Sequence, residues 1–447
     1  MRNIKLLTLL LSLFSTTLFA QENKYHSYFI EFLKNGTCEE PIEKNVPLKK
    51  INKVRTDIWN AWVDANQHFD EEKLIELDSI SLGRHSHFNI PDSLEPNAKM
   101  PYYYGSKGIC PEDGYPCFIY LHGSGPKEHE WSNGLKFAQT FKDGPSIYFV
   151  PQIPNEGQYY RWYQKSKQYV WEKVIRQLFL KNDVNPNKLY LFGISEGGYG
   201  SQRLASFYAD YFAAAGPMAG GEPLKNAPAE NCMNIGFCLR TGDKDFGFYR
   251  DILTRYTKTA FDSLESIYPN YFVHNVELIP GRGHSIDYRP TTPWLKKFVR
   301  NPWPKKFIWE DFEMDGVHRK GFYNIVVTER PDEGLRTRYD VDIHDNIIEI
   351  SVHNVYYSTI QTDERWGIEM KFNRSYKEAD RGKFVLYLNE HLVDLKKKVT
   401  VIVNGKTKYC GKLKCNVFHM MKSLSTFSDP NRIYPAAVEL SIDNSFN

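Results

Sequence analysis

Short apolar runs alternate with amphipathic segments in the middle of the chain. The runs are short, continuous and largely apolar, which is typical of strands buried on both faces of a parallel sheet. They occupy residues 118–123, 146–151, 188–193, 212–220, 234–242 and 272–281. Helical patterns lie between several of them, at 167–180 and 249–267. This alternation predicts an α/β domain over residues 101–302, with helices on both faces of its sheet.

The pattern changes after residue 302. Apolar and polar positions now alternate with period two and are separated by turn residues, including Asn404-Gly405 at a predicted hairpin tip. One helix is predicted over 416–424 and a closing strand over 436–442. We therefore predict an all-β, sandwich-like accessory domain over residues 303–447.

Residues 21–100 are predicted to be a lead-in of helical and extended segments. Ile51, Val54, Ile58 and Trp62 recur at helical spacing, which predicts an amphipathic helix. The later part of the lead-in is predicted to be extended and interrupted by prolines.

The first 20 residues have the pattern of a secretory signal peptide. Arg2 and Lys5 precede an apolar run from Leu6 to Leu13, and small or polar residues follow up to Ala20. The run is too short to span a bilayer comfortably. We therefore expect an exported protein, periplasmic or secreted, without a membrane anchor.

Composition adds little to this picture. The chain has 447 residues, 41% of them hydrophobic and 25% charged, with a net charge of +3. This is an ordinary globular balance and gives no reason to expect a nucleic-acid partner.

The cysteines become informative in an oxidising compartment. Six of the seven cysteines form close local pairs, each a candidate disulfide across a turn: Cys110 with Cys117, Cys232 with Cys238, and Cys410 with Cys415. Cys38 is left over, and none of the spacings is that of a zinc site.

The strongest chemical signal is the pentapeptide Gly193-Ile194-Ser195-Glu196-Gly197, which matches G-x-S-x-G. It follows a predicted strand and opens a predicted helix, the setting of a nucleophile elbow. Gly197 and Gly198 would let the strand and helix approach closely. Ser195 is therefore the candidate nucleophile.

A serine hydroxyl needs a base that accepts its proton, and the base needs an acid that orients it. His284 lies in a Gly-rich loop after the last predicted strand. Two aspartates follow the strand before it, and we prefer Asp245 to Asp243 as the acid. The chain order Ser, acid, His is that of the α/β hydrolases.

A tetrahedral intermediate also needs hydrogen-bond donors for its oxyanion. The loop Leu121-His122-Gly123-Ser124-Gly125 follows a predicted strand. The backbone N–H groups of Ser124 and Glu196 are the candidate donors, and His122 is expected to brace the loop rather than act as a base. His85 and His87 would share one strand face, but without a third ligand we interpret them as structural. We expect neither a metal nor a cofactor, because no H-E-x-x-H, Walker or dinucleotide motif has the right surroundings.

These motifs, in this order, resemble the α/β-hydrolase superfamily over residues 100–300. More narrowly, MPYYYG, YPCFIYLHGSG, GISEGGYGSQRLA and DLKKKVTVIVNGKTKYCGKL resemble exported gut-bacterial hydrolases with a β-sandwich tail, a group that includes pectin methylesterases. The resemblance implies a serine esterase that uses Ser195, Asp245 and His284. HGSG replaces the full HGGG of the superfamily, which leaves the exact oxyanion donor open.

The resemblance gives the basic residues near the site a possible role. A uronate polymer carries free carboxylates beside its methyl esters, and an arginine can bind a carboxylate with two parallel hydrogen bonds. Arg282 and Trp162 are therefore candidate substrate-binding residues, and Arg161 lies beside Trp162. The alternative interpretation is that the arginines are solvated loop charges.

The leading hypothesis is an exported serine esterase acting on plant cell-wall polysaccharide, first on methyl esters of galacturonate in pectin. Acetyl or feruloyl esters of hemicellulose are alternative substrates. A peptidase similar to prolyl oligopeptidase is a second enzymatic alternative, although no propeller repeat precedes the predicted sheet. A glycan-binding protein without activity is the alternative from a different class.

Overall fold

The computed structural model describes residues 24–38 and 42–443. The predicted signal peptide lies outside the described residues. No helix in the described ranges is long and apolar enough to cross a membrane.

An eight-stranded sheet forms the centre of the molecule, in the spatial order β1-β2-β4-β3-β5-β6-β7-β8. The strands β1, β2 and β4 pair antiparallel, and β4, β3 and β5 to β8 run parallel. This is an α/β-hydrolase sheet. Its strands are β1 His85–Asn89, β2 Lys99–Lys107, β3 Tyr115–Leu121, β4 Ser146–Pro151, β5 Val184–Ile194, β6 Ala214–Met218, β7 Gly236–Gly242 and β8 His274–Ile279.

The six apolar runs correspond to β3 through β8, so their prediction as strands is confirmed. The segment of β1 and β2 was predicted to be extended but not to belong to this sheet, to which the two strands add an antiparallel edge. β1 is short and exposed at three of its five positions, so it has no continuous apolar run. The sheet therefore begins before residue 101, inside the segment predicted as a lead-in.

Eight α-helices lie among the described residues. Apart from α1, over residues 24–35, they are α2 Ile51–His68, α3 Lys127–Thr140, α4 Lys165–Phe179, α5 Glu196–Phe207, α6 Arg250–Ile267, α7 Thr291–Leu295 and α8 Val417–Phe427. The predictions of α2, α4, α6 and α8 from apolar periodicity are confirmed.

Two further sheets form the C-terminal part. One has the order β10-β11-β15-β18, and the other has the order β17-β16-β13-β12-β9 with β14 paired to β13. Their strands are β9 Lys306–Asp311, β10 Gly321–Phe322, β11 Ile325–Glu329, β12 Arg336–His344, β13 Ile347–Thr362, β14 Glu369–Glu378, β15 Lys383–Leu388, β16 Lys398–Val403, β17 Lys406–Lys412 and β18 Ala436–Ser441.

The prediction of an accessory β fold in the C-terminal part is thus confirmed. Its sheets pack through aromatic side chains, with the rings of Trp309 and Phe322 stacked at a centroid distance of 5.5 Å. Asn404 and Gly405 both have positive φ, at 48° and 73°, between β16 and β17. This is the backbone that a tight two-residue hairpin requires.

One hydrophobic core joins the parts of the molecule. It contains Trp62 of α2, Phe261 of α6, Trp309 of β9 and Leu424 of α8. A buried ionic cluster also crosses the boundary, because Asp210 contacts Arg319 at 3.1 Å and Arg432 at 2.6 Å. The C-terminal part is therefore packed firmly against the α/β part.

The cysteine prediction is wrong for all three local pairs. Cys110, Cys117, Cys232, Cys238, Cys410 and Cys415 are free thiols. In two of the pairs, one cysteine is exposed and the other is buried. Cys110 and Cys410 are exposed, whereas Cys117 and Cys415 are buried.

Candidate active site

Ser195 lies in a strained turn between β5 and α5. Its φ is 57° and its ψ is −113°, a backbone conformation that residues other than glycine rarely adopt. Its N–H donates to the carbonyl of Met218 at 2.9 Å, which ties the turn to the end of β6. The surrounding structure holds this strained conformation, and the Ser195 side chain lies at the carboxyl end of β5, in the lining of a cleft.

The glycines around Ser195 are required by close backbone contacts. A Cβ added at Gly193 would lie 2.3 Å from the Gly197 oxygen, and one at Gly197 would lie 1.9 Å from the Leu121 oxygen. At Gly198 the same atom would lie 2.4 Å from the Met218 oxygen. The close approach of strand and helix expected from Gly197 and Gly198 is therefore present.

The structure brings Ser195, His284 and Asp245 into one hydrogen-bonded chain. His284 Nε2 lies 3.0 Å from Ser195 Oγ, and His284 Nδ1 lies 2.7 Å from Asp245 Oδ2. An ionised carboxylate only accepts, so the Nδ1–H donates to it and Nε2 is left to accept from the serine. Asp243 does not take this position, because Asp245 occupies it; Asp243 Oδ1 is buried and has no hydrogen-bond partner among the described residues.

Arg250, at the start of α6, holds the other oxygen of Asp245. Its Nη2 donates to Asp245 Oδ1 at 2.7 Å. Burial raises the pKa of the Asp245 carboxyl, but the hydrogen bonds from His284 and Arg250 outweigh it, so that the pKa is lowered. Asp245 is therefore a buried carboxylate that stays ionised.

His122 braces the loop next to Ser195. Its Nε2 accepts from the Ile153 N–H at 3.0 Å, so its Nδ1–H donates to the Gly123 carbonyl at 2.7 Å. Burial lowers the pKa of His122 to about 4, which keeps the ring neutral. The loop passes close to the nucleophile, since a Cβ added at Gly123 would lie 3.4 Å from Ser195 Cβ.

The prediction of Trp162 as a substrate-binding residue is wrong. Trp162 is 0% exposed, and its Nε1–H donates to the His122 carbonyl at 3.0 Å. A fully covered ring cannot contact a ligand, so Trp162 supports the His122 loop from inside.

The two predicted oxyanion residues lie beside Ser195. Ser124 is exposed and lines the same cleft as Ser195, and the N–H of Glu196 opens α5, where helix N–H groups have no acceptor within the helix. The Glu196 side chain is buried, and its Oε2 accepts from Arg161 Nη1 at 3.2 Å, whereas its Oε1 has no partner within residues 24–38 and 42–443. Burial outweighs that contact and raises the pKa of Glu196 to about 7.

A cleft of about 700 Å³ opens around Ser195. Arg161 lines it, and only Nη1 of its guanidinium has a hydrogen-bond partner in the described structure. Arg203 also lines it but is paired with Glu222 through two nitrogens. Arg282 is exposed on the His284 loop, and its side chain is not part of the cleft lining.

The sequence analysis missed several residues of this cleft. The sequence did contain a signal that could have identified Arg250, since this residue follows Asp245 closely and lies at the start of a predicted helix. Phe248 follows the acid by three positions, whereas Trp366, Ile368 and Glu369 come from the C-terminal part of the chain. No spacing in the sequence links these last three to Ser195.

One group of side chains in the described ranges could share a metal ion. Ligand atoms of His26, Asp64 and His68 lie within 4.8 Å of one another on α1 and α2. It includes no residue of the cleft. His85 and His87 are both exposed on β1 and belong to no such group.

No protein-family model and no curated protein matches the chain. Solved structures resemble about half of it. A thermostable esterase is 20% identical over 48% of this chain and 62% of its own length, less than two thirds, with a TM-score of 0.40. A protein named BES from Bacillus cereus is 14% identical over 51% of this chain and 100% of its own, with a TM-score of 0.37. A ferulic acid esterase from the anaerobic fungus Anaeromyces mucronatus is 14% identical over 51% and 92%, with a TM-score of 0.35.

Proposed function

We propose that the protein is an exported serine esterase that hydrolyses ester substituents of plant polysaccharide, first of all methyl esters of galacturonate in pectin. The observation that carries the esterase proposal is the hydrogen-bonded chain from Ser195 through His284 to Asp245 at a nucleophile elbow. A buried acid, an imidazole and a serine at these distances form the arrangement that activates a hydroxyl for attack on a carbonyl.

In the first half of the reaction, Ser195 Oγ attacks the ester carbonyl carbon while His284 Nε2 takes the hydroxyl proton. The carbonyl oxygen becomes an oxyanion, and its proposed hydrogen-bond donors are the N–H groups of Glu196 and Ser124. The ester C–O bond then breaks, His284 gives its proton to the departing alkoxide, and an acyl-enzyme remains. For a methyl uronate, the alcohol released first is methanol.

In the second half, water replaces the alcohol. His284 Nε2 accepts a proton from water, whose oxygen attacks the acyl carbon. The bond between the acyl carbon and Ser195 Oγ then breaks as Oγ regains the proton from His284. Asp245 stays ionised throughout and stabilises the imidazolium in both halves. The product is a free uronate carboxyl.

Arg161 supports a uronate substrate rather than a neutral one. It lies in the cleft lining, its side chain is 49% exposed, and most of its N–H groups have no partner in the described structure. A guanidinium with free N–H groups binds a carboxylate with two parallel hydrogen bonds. A neighbouring, unesterified galacturonate residue supplies such a carboxylate.

A product assay tests this proposal. Wild type and Ser195→Ala are incubated with methylated pectin, acetylated xylan and feruloylated arabinoxylan, and methanol, acetate and ferulate are quantified. We expect methanol from pectin as the main product of the wild type and none above background from the variant. Acetate or ferulate as the main product would move the substrate to hemicellulose, and a fully active Ser195→Ala protein would contradict the esterase mechanism.

A further inference from the structure

The C-terminal part of the chain contributes one wall of the cleft that contains Ser195. β13 and β14 form a long hairpin whose turn, residues 363–368, lies far along the chain from the α/β sheet. Trp366, Gly367, Ile368 and Glu369 line the cleft together with Ser195. The hairpin therefore forms part of the cleft that contains Ser195 rather than a separate module.

Polar contacts hold this hairpin in place. Asp363 Oδ1 accepts from the Tyr249 hydroxyl at 2.7 Å, and Glu369 Oε1 lies 2.9 Å from Lys225 Nζ. Farther along β14, Arg374 pairs with Glu230. These three contacts, at successive positions along the hairpin, fix the hairpin against the α/β part. The position of Trp366 in the cleft lining is therefore defined.

Two aromatic rings meet at this wall and remain open to solvent. Trp366 is 45% exposed and Phe248 is 42% exposed, although their ring centroids lie only 4.4 Å apart. Phe248 and Tyr249 both have positive φ, at 52° and 57°. Such backbone costs energy for residues other than glycine, and here it places Phe248 beside the cleft just after Asp245.

An exposed aromatic pair in a cleft favours a ligand with a flat apolar face and polar edges. A pyranose ring has this chemistry, because its C–H groups form an apolar face and its hydroxyls point outward. Aromatic rings provide a large apolar surface of fixed shape for such a face. In the same cleft lining, Arg203 Nη1 and Glu369 Oε2 take no part in the pairs with Glu222 and Lys225 and offer partners for the hydroxyls.

We propose that Trp366 and Phe248 form a subsite for a sugar ring next to the esterified residue, so that the β13–β14 hairpin gives the enzyme its preference for oligosaccharide esters over small esters. The inference rests on the proposed esterase function and adds a substrate-binding role for the C-terminal part.

Kinetics on three substrates test the subsite. Wild type, Trp366→Ala, Phe248→Ala and Trp366→Phe are assayed with methyl-esterified oligogalacturonides, p-nitrophenyl acetate and methyl ferulate. Ile360→Ala is the matched control, because Ile360 is 60% exposed on β13 and lies outside the cleft lining. Melting temperatures identify any variant that does not fold.

For Trp366→Ala and Phe248→Ala, the loss in kcat/KM on the oligosaccharide ester should exceed the loss on p-nitrophenyl acetate by about tenfold, the effect of uncovering a modest apolar area. Trp366→Phe should recover part of this difference, and Ile360→Ala should show none. Equal losses on all substrates, no loss, or a loss confined to methyl ferulate would overturn the subsite.

The failure of the subsite and the failure of the esterase proposal give different results. A wild type that hydrolyses p-nitrophenyl acetate but no oligosaccharide ester would overturn the subsite and leave the esterase mechanism intact. Ser195→Ala, assayed in parallel, would overturn the mechanism if it kept full activity on p-nitrophenyl acetate.

Discussion

The two sides of the cleft are built in different ways. On one side, Ser195, Asp245 and His284 follow the carboxyl ends of β5, β7 and β8, where neighbouring parallel strands bring their loops together. On the other side, a hairpin from the C-terminal part carries Trp366. In our proposals, the first side supplies groups that every ester needs, whereas the second contacts the part of the substrate beyond the reacting bond. Variants on the two sides should therefore differ in how their effects depend on substrate.

The largest effect on the catalytic side is expected from Asp245→Asn. An amide in this position can favour the wrong tautomer of His284, and we expect kcat to fall by about 10⁴-fold on small and large esters alike. Asp243→Asn is the matched control and should keep kcat near that of the wild type. A larger loss for Asp243→Asn would reassign the acid.

Arg250→Ala should lower kcat less, by about 10- to 100-fold, because Asp245 keeps His284 but loses the donor that fixes its second oxygen. Arg250→Lys, which retains the charge, should recover part of the loss. Arg255→Ala changes an exposed arginine on the same helix and serves as the control. Similar losses for Arg250→Ala and Arg255→Ala would argue against a positioning role for Arg250.

Arg161→Ala should separate substrates by charge. Loss of a charge-assisted pair with a substrate carboxylate should lower kcat/KM on methylated oligogalacturonides by about 10- to 100-fold more than on p-nitrophenyl acetate. Arg289→Ala is the control, because Arg289 is exposed and pairs with Asp287 outside the cleft lining. Equal losses of Arg161→Ala on both substrates would exclude carboxylate recognition by Arg161.

The last expected effect is on the stability of the folded protein as the pH changes. The pKa of Glu196 is raised from 4.5 to about 7, so the folded protein keeps this proton at pH values where the unfolded chain has lost it. Stability should therefore fall as the pH rises from about 4.5 to 7, by at most about 3 kcal/mol. Glu196→Gln should flatten the melting temperature over this range, and the exposed Glu112→Gln should not. A wild type without this decline would contradict the shift.

The catalytic side could be predicted from the sequence because its constraints are local. Ser195 needs glycines at fixed neighbours, and these glycines leave a pattern that a strand before and a helix after make specific. Asp245 and His284 follow apolar runs that are visible as strands. The fold of the α/β sheet and the roles of these three residues could therefore be predicted from short stretches of the sequence.

The other side depends on tertiary packing, which leaves no spacing in the sequence. Trp366 looks like any aromatic residue in a turn, and only the packing of the hairpin through Asp363 and Glu369 brings it to the cleft. The same reason explains the error on Trp162, because no pattern in the sequence shows that its ring is covered from all sides. Edge strand β1 was predicted to be extended but was not assigned to the sheet, because its exposed positions give no apolar run.

Labelling with a fluorophosphonate reagent tests most directly whether Ser195 is the nucleophile. An activated serine attacks the phosphorus, fluoride leaves, and a stable phosphonyl adduct forms on Oγ. Mass spectrometry of digested wild-type protein should find one adduct, on the peptide that contains Ser195, and labelling should be much slower in Asp245→Asn. No adduct on that peptide, or an adduct that persists elsewhere in Ser195→Ala, would contradict the assignment of Ser195 as the nucleophile.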